Sequence, residues 1–118
     1  MTRERLPNRR ESESLSFQWN GMAFVATVSR FSDGRIAEIF LTNGKVGSDT
    51  DAAARDSAVV CSLALQFAAP IETIRHALSR DSQGVAASPL GRALDLFVDG
   101  SVDGNGDVSK REVPDVMR

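Results

Sequence analysis

Residues 36–66, IAEIFLTNGKVGSDTDAAARDSAVVCSLALQ, change their apolar period part-way along. Ile36, Ile39, Phe40 and Leu41 crowd a short run that suits a strand, and from Ser48 onward a long stretch of helix formers lacks both Gly and Pro. Between them, Asn43-Gly44 and Gly47 allow a tight turn, and Ser48 can cap a helix. The reading is a strand from about Arg35 to Thr42, then a helix from about Thr50 to Ala68. Apolar residues on both faces of the strand place it deepest, at the centre of a sheet. The second half of the helix is apolar nearly all round, which predicts burial on every side.

Working outward, Leu15, Phe17 and Trp19 alternate with polar residues, and Asn20-Gly21 is the dipeptide that favours a two-residue hairpin. Met22, Phe24, Ala26 and Val28 then line one face of a second strand running to Arg30, and Asp33-Gly34 turns the chain into the third. Downstream, Pro70 opens a second helix with an Ile71, Ile74 and Leu78 stripe. Ser88 and Pro89 start a third, whose Leu90, Ala93, Leu94 and Phe97 share a face. The fold class is therefore α+β: an antiparallel three-stranded meander followed by two or three helices packed on one face. Residues 1–14 read as a mobile leader, 15–98 as the folded domain and 99–118 as a Gly/Asp-rich tail.

The chain has 118 residues, a formal net charge of −2 and one cysteine. That charge gives no reason to expect nucleic acid as a partner, and no apolar run is long enough to span a bilayer. One cysteine allows no internal disulfide, which makes the cytoplasm the default location. Cys61 lies among Val59, Val60, Leu63 and Ala64, so it reads as a small buried hydrophobe. His76, four residues after Glu72, reads as one half of a helix-surface pair.

Two stretches could bind ions. In the strand-to-helix turn, Asn43, Gly44, Lys45, Gly47 and Ser48 could hold a phosphate through Lys45 and free N–H groups at a helix N-terminus. The spacing is not that of a P-loop, and Asp49 and Asp51 would themselves satisfy the helix end. The alternative is a turn with an N-cap. In the tail, Ser101, Asp103, Asn105, Asp107, Ser109 and Glu112 fall at the ligand positions of an EF-hand loop with Gly106 in the middle. The first position carries Ser instead of Asp, and Pro114 interrupts any exiting helix. A calcium affinity of roughly 10⁻⁴ to 10⁻³ M is the most this loop would reach, against the alternative of a solvated tail.

The blocks Glu38-Ile39-Phe40, Gly44 to Ser48 and Ser62 to Gln66 followed by Pro70, with RLPNRR at the start and RALDLF near the end, resemble the TSCPD domain. That domain lies at the C-terminus of vitamin B12-dependent ribonucleotide reductases, and the blocks follow the pattern of its small free-standing members. The resemblance covers about Arg5 to Phe97. It implies a link to deoxyribonucleotide synthesis through an accessory or protein-contact role, with a ribonucleotide reductase subunit as a candidate partner. It implies no catalytic residue here: the larger enzymes use several cysteines and cobalamin, whereas this chain has one cysteine and lacks the Thr-Ser-Cys-Pro-Asp motif. No cofactor is expected beyond weak calcium.

Overall fold

The computed structural model describes residues 2–8, 11–44 and 47–100. Three strands, β1 (Ser12–Trp19), β2 (Met22–Arg30) and β3 (Ile36–Asn43), precede three helices, α1 (Asp49–Gln66), α2 (Ile71–Ala77) and α3 (Pro89–Asp99). The sheet is an antiparallel meander in the order β1-β2-β3. Asn20 and Gly21 form the first turn with φ of 51° and 73°, the left-handed pair that a two-residue hairpin requires. β1 starts at Ser12, three residues before the expected Leu15. Within residues 1–14, Arg3 bonds to Gln66 at 2.6 Å and Glu4 to Arg35 at 2.8 Å.

Alternation sorts the side chains. Leu15 and Phe17 of β1, Phe24, Ala26 and Val28 of β2, and Ile39 and Leu41 of β3 turn to one face and are buried. Phe17 stacks on Phe24 with ring centroids 5.7 Å apart, and Trp19 meets Phe24 edge-on at 6.4 Å. α3 supplies Leu90, Ala93, Leu94 and Phe97 to the same core, and α1 adds Ala54, Ala58, Cys61 and Leu65. Burying each large side chain of this set contributes about 1.5–3 kcal/mol. Ser88 caps α3 by accepting from the Gly91 N–H, Pro89 lies in its first turn, and Gly100 closes it at φ 65°.

Two expectations need correction. β3 is not at the sheet centre; β2 is, and β3 is an edge strand. Its run of buried residues, Ile36 to Ile39, arises because α1 packs along it and screens the side that an edge strand normally exposes. Nor is the second half of α1 buried all round. Cys61 and Leu65 are inside, but Val59 and Val60 are 55% and 66% exposed, and Leu63 is exposed too. A helix laid against a three-stranded sheet has one side to bury, and neither α2 nor α3 packs over its outer side.

α1 ends in an unusual way. Phe67 is the C-cap, and Ala68 takes the left-handed conformation at φ 72° while the Ala69 N–H reaches back to the Ala64 carbonyl. That is a Schellman closure with alanine where glycine is usual. It turns the chain into Pro70, which is the N-cap of α2 and not its first helical residue.

Candidate functional site

The turn between β3 and α1 is organised around Asp51. This residue is 2% exposed and sits in the first turn of α1. Its carboxylate accepts from the Asn43 N–H at 2.9 Å, the Gly47 N–H at 3.3 Å and Arg55 Nε at 2.9 Å, while its own N–H donates to Ser48 Oγ at 3.0 Å. The Asn43 N–H in particular, with Arg55 and the Gly47 N–H, holds the carboxyl below the usual carboxylate range despite its burial. Among the residues considered for a phosphate, Asn43 is buried, Gly44 is exposed and donates to the Ala23 carbonyl, Gly47 has φ 87°, and Ser48 is the N-cap. Asn43, Gly47 and Ser48 thus all bond to Asp51, the first two through its carboxylate and Ser48 through its backbone N–H. Lys45 lies outside the described residues.

Further along α1, Ser62 and Gln66 reach the outward edge of β3. Ser62 Oγ accepts from the Ile39 N–H at 2.8 Å and donates to the Ile39 carbonyl at 3.0 Å. Gln66 Nε2 donates to the Ala37 carbonyl at 3.0 Å, and its Oε1 accepts from Arg3. Sequence reasoning missed these roles. The signal was present: Ser62 and Gln66 are two polar residues four apart inside an apolar run, so they share one side of the helix.

The other side of α1 is apolar and open. Val59, Val60, Leu63 and Phe67 are exposed along it, and Phe40 (53% exposed) and Val25 continue the surface onto the outer face of the sheet. The continuity follows from geometry. Val25 pairs with Thr42, the neighbour of Phe40 on that face, and Phe40 lines a groove of about 260 Å³ with Val59, Leu63 and Arg55.

Two further clefts have other characters. One of about 570 Å³ lies between the first turns of α1 and α3, lined by Trp19, Thr50, Ala53, Leu78 and Pro89. The other lies over a cluster of paired charges. There Arg75, itself buried, bonds to Asp95 at 3.0 Å, Glu72 at 2.8 Å and Asp99 at 2.6 Å, and Arg80 also binds Asp95. Burial alone would raise the Asp95 carboxyl, but Arg80 and Arg75 outweigh it and hold it low. These bonds tie α2 and the loop after it to α3. They also correct the expected Glu72–His76 pair: Glu72 is taken by Arg75, three residues along, and His76 is exposed.

Cys61 is buried, and burial pushes its thiol up to about 11. It is therefore a neutral thiol at ordinary pH, poorly suited to nucleophilic or metal-binding work. No group of three or more His, Cys, Asp or Glu residues among the described residues could hold a metal ion. No helix among them is long and apolar enough to cross a membrane. The calcium-like positions Ser101, Asp103, Asn105, Asp107, Ser109 and Glu112 lie outside the described residues.

The fold and its surfaces define a small α+β module with an open apolar patch and a buried thiol. Sequence comparison adds its relatives. The chain is 37% identical over 70 residues to the vitamin B12-dependent ribonucleotide reductase of Agrobacterium fabrum, covering 59% of this chain and 6% of that protein. It is 34% identical over 77 residues to the enzyme of the same name from Rhodopirellula baltica, covering 65% of this chain and 7% of that protein. The chain thus corresponds to a small part of the relatives it matches. No family model and no solved structure matches it.

Proposed function

We propose that this chain is a TSCPD-like module with an accessory, protein-contact role in deoxyribonucleotide synthesis, and that its partner is a ribonucleotide reductase subunit in the cytoplasm. The observation that carries the reading is the exposed apolar surface formed by Val25, Phe40, Val59, Val60, Leu63 and Phe67. Among the described residues, nothing in the packing requires α1 to keep large apolar residues in water, whereas a partner surface would. The similarity to a short part of two B12-dependent reductases supports a reductase as the class of partner. Cys61, the one cysteine in these 118 residues, is buried and neutral, which supports contact over catalysis on this chain.

The test is calorimetric titration of the chain into a B12-dependent ribonucleotide reductase from the same cells, with Val60→Asp and Phe40→Ser as probes. Both positions are more than half exposed, so folding stability should change by only about 0.5 kcal/mol. Binding by the parent chain and a loss of at least roughly tenfold in each variant is the expected result. No binding by the parent, or equal binding by both variants, refutes the proposal.

A further inference from the structure

The sheet has two edges, and the structure treats them differently. In an antiparallel ladder each residue turns both its N–H and its C=O to the same side, and the side alternates along the strand. The Gly44 N–H donates to the Ala23 carbonyl, so even-numbered residues of β3 bond to β2 and odd-numbered ones face outward. Of the four outward residues, Ala37, Ile39, Leu41 and Asn43, three are met by α1: Ala37 by Gln66, Ile39 by Ser62 and Asn43 by Asp51. On the other side, the two-residue hairpin makes Trp19 and Met22 a bonded pair, so Glu13, Leu15, Phe17 and Trp19 bond to β2. Ser12, Ser14, Ser16 and Gln18 therefore point their backbone groups away from the sheet. Among the described residues, no backbone group outside the β1–β2 ladder bonds to any of these four.

Proteins usually blunt such an edge with Lys, Pro, an inward-pointing charge, a bulge or a cover. β1 has no Lys and no Pro, and the one register irregularity of the sheet falls at Ser29/Arg30, in the β2–β3 pairing. Its one charge, Glu13, points inward and is paired with Arg30 at 2.8 Å.

We propose that β1 is a dimerisation edge, where a second copy of this chain pairs antiparallel about a two-fold axis at Ser16 and joins the two sheets into one. The strand is complementary to itself in that register. Ser16 faces Ser16 and Ser14 faces Gln18 on the outer side, and Leu15 faces Phe17 on the core side, so no like charges meet. Glu13 falls opposite Trp19 and keeps its own Arg30. The parity is also right, because the even-numbered residues that meet across the axis are those whose backbone groups are free. A foreign peptide would find main-chain bonds here but only small polar side chains on the outer face, with no pockets to select it.

The test is sedimentation velocity on the full chain over a range of micromolar concentrations. The parent should dimerise. Proline at position 16 removes an outward N–H and leaves the β1–β2 bonds intact, so Ser16→Pro should raise the dimer dissociation constant by roughly tenfold or more, with an unchanged circular dichroism spectrum. As a second variant, Ser16→Cys should form a covalent dimer on mild oxidation, because a bonded pair has a Cα separation near 5.5 Å, within disulfide reach. Ser32→Cys, on an exposed turn, should not. A parent that stays monomeric overturns the proposal. So does a dimer indifferent to Ser16→Pro without Ser16→Cys crosslinking, or protection of the Ser14 and Gln18 amides that appears only when another protein is added.

Discussion

The β3 edge and the β1 edge belong to one small sheet, yet the first is closed by side chains and the second is left to the solvent. Closure at β3 needs three polar residues on one side of α1: Asp51, Ser62 and Gln66. They let a helix lie against a strand edge without stranding buried N–H and C=O groups, each of which would otherwise be costly. Among the described residues, β1 has no neighbouring helix in that position, and its outward residues are serines and a glutamine that water can solvate. An edge can thus be made inert by plugging its backbone or kept available by leaving it regular and polar.

The closed edge can be broken one residue at a time, and Asp51→Ala should have the largest effect. It leaves the buried Asn43 N–H without its acceptor and removes the bonds to the Gly47 N–H and Arg55, so its thermal unfolding midpoint should fall further than that of Ser62→Ala. Acid provides a second check on the same residue. The folded Asp51 carboxyl is held below its unfolded value, near 3.9, so its contribution is complete above that value and is lost as pH falls through the lower folded one. The parent should therefore lose stability more steeply below about pH 4 than Asp51→Asn does. Parallel slopes would mean that Asp51 does not close this edge.

Ser62→Ala comes next. It removes both bonds to Ile39, and urea unfolding should show a loss of about 2 kcal/mol. A loss no larger than that of an exposed substitution on the other side of α1 would mean that water replaces Ser62, and the contrast between the two edges would shrink. The smallest change is Ala68→Gly. Ala68 adopts a left-handed conformation, which strains a side-chain-bearing residue. Relieving it should raise stability by about 0.5–1 kcal/mol in the same unfolding measurement, since glycine gives back part of the gain as unfolded-state entropy. A destabilised Ala68→Gly would show that the Ala68 methyl packs at the helix end and outweighs the strain.

Much of the fold was legible from local signals. The hairpin at Asn20-Gly21, the caps at Ser48 and Ser88 and the change of period near Asn43 each depend on a few neighbouring residues, and each is where the sequence places it. Cys61 is buried as the sequence reading expects, but not because of its apolar neighbours, since Val59, Val60 and Leu63 are exposed; it shares the buried side of α1 with Ala54, Ala58 and Leu65. The errors came where one pattern suits two environments. Ile36 to Leu41 is apolar on both faces whether a strand is central or is an edge covered by a helix, and here it is the covered edge. An all-round apolar helix can be buried on every side, or can bury one side and offer the other to a partner. Val59, Val60 and Leu63 show that only one side of α1 is buried and the other is exposed.

The sequence by itself determined the order of three strands and three helices, the antiparallel meander and the faces of β1 and β2 that enter the core. Turn chemistry and apolar period act within a few residues and need no knowledge of distant contacts. Only the tertiary structure decided that β2 is central, that Asp51, Ser62 and Gln66 plug the edge of β3, and that the apolar outer side of α1 stays in water. Those outcomes depend on which elements meet across the core, and the three helices among the described residues do not cover both sides of α1 and both edges of the sheet.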